Sequence, residues 1–152
     1  MNALEFKIAV NSECLRILGE RLDSIDENLK NLMQAKESET KSSAGDKYET
    51  GMAMIQNQEE LYKRQRLQTQ EILNKLLKID PDKICSIVED GALVALPSGI
   101  YYLSAGMGKI TVVGKDIFAL SLASPMGMAL KNRRTGEQFT FNEKKHTILK
   151  IS

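Results

Sequence analysis

Tryptophan is absent, and aromatic residues make up only 5% of this 152-residue chain. Large cores are built around such side chains, so their scarcity favours a coiled coil joined to a small sheet domain over one large core. Histidine occurs once, at His146. It begins the last expected strand and reads as a surface or edge residue; no Ser/His/Asp or Cys/His set can be assembled. Cysteine occurs twice, at Cys14 and Cys85. Their spacing offers no disulfide framework, metal motif or redox pair, and a reducing cytosol is the default. The net charge is only +1, which supplies no whole-chain attraction to nucleic acid or membrane. Long apolar runs are missing too. The least charged stretch, 117–130, falls short of the ~18 residues of a membrane helix and is broken by Pro125 and Gly127. The opening Met-Asn-Ala-Leu-Glu-Phe-Lys starts no signal peptide. A soluble cytoplasmic protein is expected.

What is present is a heptad pattern. Leu15, Leu18, Leu22, Ile25, Leu29 and Leu32 recur at alternating steps of three and four, an a/d seam that predicts a helix packed along another helix. This helix should run from about residue 11 to about residue 38. Thirty residues make ~45 Å of helix. Glu13, Arg16, Glu20, Arg21, Asp23, Asp26, Glu27 and Lys30 form its solvated faces. A second helical pattern runs from about 48 to 78. One set of its seam positions is Ile55, Tyr62, Thr69 and Leu76; the other is Gln58, Gln65, Ile72 and Ile79. Leu61, Leu67, Leu73 and Leu77 lie off this register and are available to the second domain or to another protein. Between the two patterns stands Lys41-Ser-Ser-Ala-Gly-Asp-Lys-Tyr-Glu-Thr-Gly51. So short a break, at 42–45, forces the helices antiparallel within one chain. The tip falls near 39–50.

The character of the chain changes at Asp80-Pro81-Asp82. Pro81 disfavours helix at Asp80, which places the boundary between a hairpin domain, 1–79, and a second domain, 80–152. In the second half, strands are expected at 92–96, 100–104, 110–113, 117–122, 137–141 and 146–151. Ser124-Pro125 followed by 126–131 predicts a short helix, with Ser124 as its cap and Pro125 at its first position. The fold class is therefore α+β: an antiparallel helical hairpin followed by a small, mostly antiparallel β domain. That domain should fold alone.

Few motifs carry chemistry. Gly106-Met-Gly108-Lys109 lacks the first glycine and the Ser/Thr of a phosphate loop, and reads as a hairpin glycine pair. Lys63-Arg64-Gln65-Arg66 and Lys131-Asn-Arg133-Arg134 are small basic clusters, more often solvated surface than binding sites. At the tip, Asp46 and Glu49 stand three apart at the start of the second helix. Asp at N-cap with Glu at N3 is a capping box. The same two carboxylates are suitable ligands for a hard cation such as Mg²⁺ in a partner's active site. The two readings are compatible.

The chain resembles the bacterial Gre transcript-cleavage factors. The resemblance rests on the heptad hairpin and its acidic-polar tip. It rests also on Leu122-Ala-Ser124-Pro125-Met-Gly-Met-Ala-Leu130-Lys, the Gly136-Glu137 turn and the ending Thr147-Ile-Leu-Lys-Ile151. It covers nearly the whole chain, and Ser-Ser-Ala-Gly-Asp-Lys-Tyr-Glu-Thr-Gly is similar to a divergent Gre-like branch of the Bacteroidetes. It implies an FKBP-like second domain that docks at the rim of the secondary channel of RNA polymerase. The motif residues Ser124, Pro125, Met126, Gly127 and Leu130 would serve that docking. The hairpin would enter the channel, with Asp46 and Glu49 helping to hold a Mg²⁺ of the polymerase for hydrolysis of backtracked RNA. The protein would be a monomer without a cofactor of its own, would not be an enzyme by itself, and would meet RNA and DNA only through the polymerase. One departure stands out. Aligning the family's tip tyrosine with Tyr48 puts Lys41 and Ala44 at the acidic positions, so Asp46 and Glu49 have the right spacing in a different phase.

Three alternatives share these residues. One is a channel binder that modulates the polymerase without cleavage. Another is a coiled-coil interaction module unrelated to polymerase. A peptidyl-prolyl isomerase is disfavoured: Tyr101, Tyr102, Phe118, Phe139 and Phe141 occupy strand positions suited to core packing, not to lining a pocket, and fold alone carries no function.

Overall fold

The computed structural model describes residues 1–42 and 46–152, apart from the side chains of residues 42, 46 and 47. Two long helices come first: α1, Ala3–Ser42, and α2, Asp46–Leu77. Then follow β1, Leu93–Leu96; β2, Gly99–Leu103; β3, Gly108–Val112; β4, Lys115–Leu120; α3, Pro125–Leu130; β5, Gln138–Phe141; β6, Lys144–Thr147; and β7, Lys150–Ile151. This is the expected α+β class, a helical hairpin followed by a small, mostly antiparallel β domain with one short helix. The break expected at 42–45 falls, for residues 43–45, outside the described residues. The chain forms two compact units, Ile17–Glu71 and a second made of Met1–Arg16 with Ile72–Ser152.

In the unit Ile17–Glu71 the helices run antiparallel. Arg66 Nε donates to Asp26 Oδ1 at 2.8 Å, and a Cβ built on Gly51 would run into the Glu39 carboxylate. Partner numbers fall on one helix as they rise on the other. Leu18 and Ile25 are buried, while Leu22, Leu29 and Leu32 are half-buried. Across from them, Ile55 and Tyr62 are half-buried and Thr69 is buried. The Thr69 hydroxyl donates to the Gln65 carbonyl at 2.8 Å, which satisfies it in place. Gln58 and Gln65, expected as the alternating seam set, are exposed. Their amides keep water, and the seam narrows to one residue per heptad. Leu61 and Leu67, off the register, stay exposed.

The first turns of α1 belong to the other unit. The helix begins at Ala3, well before residue 11, because Asn2 and Glu5 form a capping box. Asn2 Oδ1 accepts from the Glu5 amide at 2.8 Å, and Glu5 Oε2 accepts from the Asn2 amide at 3.2 Å. Lys7, Val10, Asn11 and Cys14, on one face of this extension, are buried. Tyr102 Oη donates to Asn11 Oδ1 at 2.8 Å, tying that face to β2.

The β domain contains a five-stranded sheet in the order β3-β4-β2-β1-β7. Its pairs are antiparallel except β2–β4, which is parallel. β1 is buried along nearly its whole length, as a strand covered on both faces should be. One face meets a core of Cys85, Val88, Ala92, Val94, Leu96, Leu103, Leu130, Phe139 and Ile148. Tyr101 packs against that core; its neighbour Tyr102, pointing the other way, reaches Asn11. The strand expected at 146–151 is two strands. Asn142 and Glu143, both at positive φ, make the tight turn that starts β6 at Lys144, paired with β5. The chain then leaves β5: Leu149 N donates to the Ala95 carbonyl, and β7 pairs with β1.

Two predictions follow from this packing. Burial pushes the Cys14 thiol up from an ordinary 9.0 to about 12, and pushes the Cys85 thiol and the Tyr102 phenol upward as well. An acid kept neutral by folding supports the native state fully below its unfolded pKa. That support drains as pH rises through the window from about 9 to about 12, where the unfolded chain sheds the proton and the folded chain does not. The urea midpoint should hold steady up to pH 9 and fall above it, and Cys14→Ala should flatten that fall. A fragment of residues 79–152 takes away Asn11, Val10 and Cys14, so Tyr102 loses its acceptor. It should unfold at a lower urea concentration than the full chain by circular dichroism.

Candidate functional site

Asp46 opens α2, and its side chain lies outside the described residues. Glu49 follows one turn later and is exposed. Tyr48 between them is half-buried. Glu39, on the last turns of α1, is half-buried with its carboxylate against Gly51. This end of the hairpin thus carries a third carboxylate that the spacing of Asp46 and Glu49 did not point to. Gly51, lacking a side chain, leaves room for Glu39 to lie across it, a contact that the sequence alone does not single out. Among the described residues, no three His, Cys, Asp or Glu side chains converge to hold a metal ion.

The Ser124–Leu130 motif is built as its residues dictate. Pro125 begins α3 with its fixed φ, and Ser124 is the N-cap. Ser124 Oγ accepts from the Gly127 amide at 3.0 Å and donates to the Ser121 carbonyl at 2.6 Å. Gly127 has no room for a side chain: a Cβ there would strike the Ser121 carbonyl and come within 2.7 Å of Leu122 Cα. Leu130 is fully buried, and Met126 packs against the same core. Ser124, Gly127 and Leu130 therefore fix the helix in place. The surface it offers outward is Pro125 and Met128, the latter 62% exposed.

The basic clusters are partly spoken for. Lys63 pairs with Glu59 at 2.8 Å and Arg66 with Asp26. Arg133 donates to the Ala129 carbonyl at 2.6 Å and lies over the Phe139 ring. His146 stacks on Phe139 with centroids 5.2 Å apart, a packing role at a sheet edge.

The most unusual group was not read from the sequence. Lys7 is fully buried, and its ammonium donates to the Lys83 carbonyl at 2.5 Å with Cys85 Sγ 3.9 Å away. Lys83 pairs with Glu89 at 3.0 Å. The Lys83 ammonium holds the Glu89 carboxyl below its ordinary value, with smaller help from Cys85 and Lys7. The Cys85 thiol, raised chiefly by burial in spite of Lys7, is a neutral packing group, not a nucleophile.

No protein-family model matches the chain, and no curated protein matches it in sequence. Among the solved structures similar to it are two of Gfh1. One is the crystal structure of GreA factor homolog 1 (Gfh1) of Thermus thermophilus, at 16% identity and a TM-score of 0.35, covering 91% of this chain and 94% of that one. The other is a structure of the transcription factor Gfh1, at 17% identity and a TM-score of 0.34, covering 90% and 92%. Among the described residues, no helix is long and apolar enough to cross a membrane.

The motif's buried and exposed residues separate on mutation. Gly127→Ala should destabilise by about 3 kcal/mol, because the obstacle is backbone that cannot move aside. Ser124→Ala should cost about 1 kcal/mol, the usual worth of a cap. Met128→Ala, at an exposed position, should stay within about 0.5 kcal/mol. Urea unfolding of the three variants measures all of this.

Proposed function

We propose that this chain is a Gre-like factor of RNA polymerase, of the divergent branch that its tip sequence resembles. It binds at the secondary channel and brings the hairpin end toward the active site. It has no active site of its own; it assists or modulates the hydrolytic activity of the polymerase. The observation that carries this reading is one joint arrangement. An antiparallel hairpin has Asp46 and Glu49 at the start of its second helix, and the following β domain holds a capped Ser124–Leu130 helix. Carboxylates are suited to the Mg²⁺ of a polymerase, and Glu49 is exposed. The exposed side of α3, at Pro125 and Met128, is the part of the motif that a partner can touch. Nucleic acid is met only within that complex.

The phase of the acids favours one further reading. With Tyr48 as the reference, Lys41 and Ala44 stand where the family carries its acids. A factor that occupies the channel without promoting cleavage uses the same surfaces and differs only at the tip.

Stalled, backtracked complexes of bacterial RNA polymerase distinguish the two. The full chain should bind them and change either cleavage or the rate of elongation. Asn caps a helix about as well as Asp, and Gln serves at N3, so Asp46→Asn and Glu49→Gln should fold and bind as before. Their effect on cleavage should fall on the order of tenfold to a hundredfold. If cleavage is unchanged in both, the two acids are a cap. If the chain fails to bind polymerase at all, the reading is wrong.

A further inference from the structure

The unit that contains the β domain has a second feature, which shares only Met128 with the surface of the polymerase reading. A cleft of about 530 Å³ is lined by Lys75 and Lys78 at the end of α2, Lys131 just after α3, and Ser104 just after β2. Its size is that of a small-molecule site. All three lysines are exposed, and none makes an ion pair among the described residues. Ser104 is only 4% exposed. Its hydroxyl oxygen is the buried side-chain polar atom without a hydrogen-bond partner among the described residues. Buried hydroxyls are ordinarily satisfied by a protein group, an ordered water or a bound ligand, and the protein supplies no such group to Ser104.

The bland explanation of the lysines is that Lys75 and Lys78 complement the negative end of α2. That end supplies about half a negative charge, and Asp90 adds one carboxylate to the cleft. Three ammonium groups exceed both together, so the cleft keeps a positive field. Complementing a helix end also leaves Ser104 unexplained. Met128, exposed and on the same rim, supplies an apolar surface beside the charges. Lysines as point charges, an unpaired hydroxyl and an apolar wall together fit a phosphate group attached to a flat or apolar body.

We propose that this cleft binds a phosphorylated small molecule, with Lys75, Lys78 and Lys131 on the phosphate oxygens and the Ser104 hydroxyl donating to one of them. The site is independent of the hairpin end, and its test needs no polymerase.

The test is an amide-resonance titration of the full-length protein at low salt. The probes are inorganic phosphate, pyrophosphate and a nucleoside triphosphate, with sodium chloride at matched ionic strength as the control. Saturable shifts confined to 75–79, 104, 121–123 and 128–131 are expected for at least one phosphate probe and not for chloride. Tighter binding of the triphosphate than of pyrophosphate assigns a role to the apolar wall; equal binding assigns the recognition to phosphate alone. Lys78→Gln with Lys131→Gln should weaken binding about tenfold or more, as the loss of two charge-assisted contacts implies. Ser104→Ala should weaken it several-fold without lowering the thermal midpoint, since it removes an unpaired buried hydroxyl. No saturable shift with any phosphate probe, or shifts that chloride reproduces, would overturn the proposal. Unchanged affinity in the double lysine variant would do the same.

Discussion

An ammonium group that no longer touches water must be solvated by the protein. Lys7 meets that demand with the Lys83 carbonyl, close to Cys85 Sγ, with the Glu89 carboxylate contributing at longer range. Leaving such a charge unpaired costs several kcal/mol, so these groups cannot be placed independently. The segment between α2 and β1 is therefore bound to the first turns of α1, though the two are far apart in the chain. Lys83 and Glu89 close the same segment on itself with their own ion pair. One turn along α1, Asn11 accepts from Tyr102, so the helix is fastened to both the loop and the sheet. With α1 covering one face of the sheet and the core around Leu130 and Ile148 the other, β1 and β2 can be apolar almost throughout.

The hairpin obeys a weaker constraint. Among the described residues its inner face holds few buried side chains: Leu18, Ile25 and Thr69 in the unit Ile17–Glu71. The remaining seam positions are half-covered, and one of the buried three is a hydroxyl residue that must bond its own helix. Such a pair is held by modest apolar burial along its length and by cross-helix contacts such as Arg66–Asp26. That pair is half-exposed on both sides and screened by water, so its contribution is small. Apolar side chains remain outside the seam, including Met54, Leu61 and Leu67.

Legibility followed the range of the forces involved. Elements set by local rules were readable. The period of the leucines marked α1 and its packed face, Ser124-Pro125 marked the start of α3, and alternation marked most of the strands. The missed features depend on contacts that no local pattern contains. Lysine is almost always solvated, so nothing near Lys7 announces that residues 83–89 will close over it. The early start of α1 was readable in principle, since Asn2-Ala-Leu-Glu5 is a capping box, but its apolar face becomes a reason for helix only once the sheet is there to cover it. The last strand was misread for a different reason. His146 to Ile151 alternates plausibly as one strand, and the change of partner from β5 to β1 at Ile148 and Leu149 is a tertiary choice. At the hairpin end, the spacing of Asp46 and Glu49 showed, while Glu39 came into view only through its approach to Gly51.

The Ser124–Leu130 motif shows how a recognisable sequence can be chiefly a structural instruction. Four of its residues answer to the interior. Ser124 supplies the oxygen that the first amides of α3 need; Gly127 lets the helix lie against the Ser121–Leu122 backbone; Met126 and Leu130 fill the core. A helix of six residues is too short to hold its own shape in water. It exists because these contacts hold it, and its axis can point in only one direction. Pro125 and Met128 are carried outward as a consequence, and so is Lys131, whose amide caps the helix on the Gly127 carbonyl. The exposed face of α3 and the lysine-lined cleft beside it are thus placed by the same close approach. Any residue larger than glycine at 127 would move both, so the backbone contact at Ser121 sets the position of this whole surface.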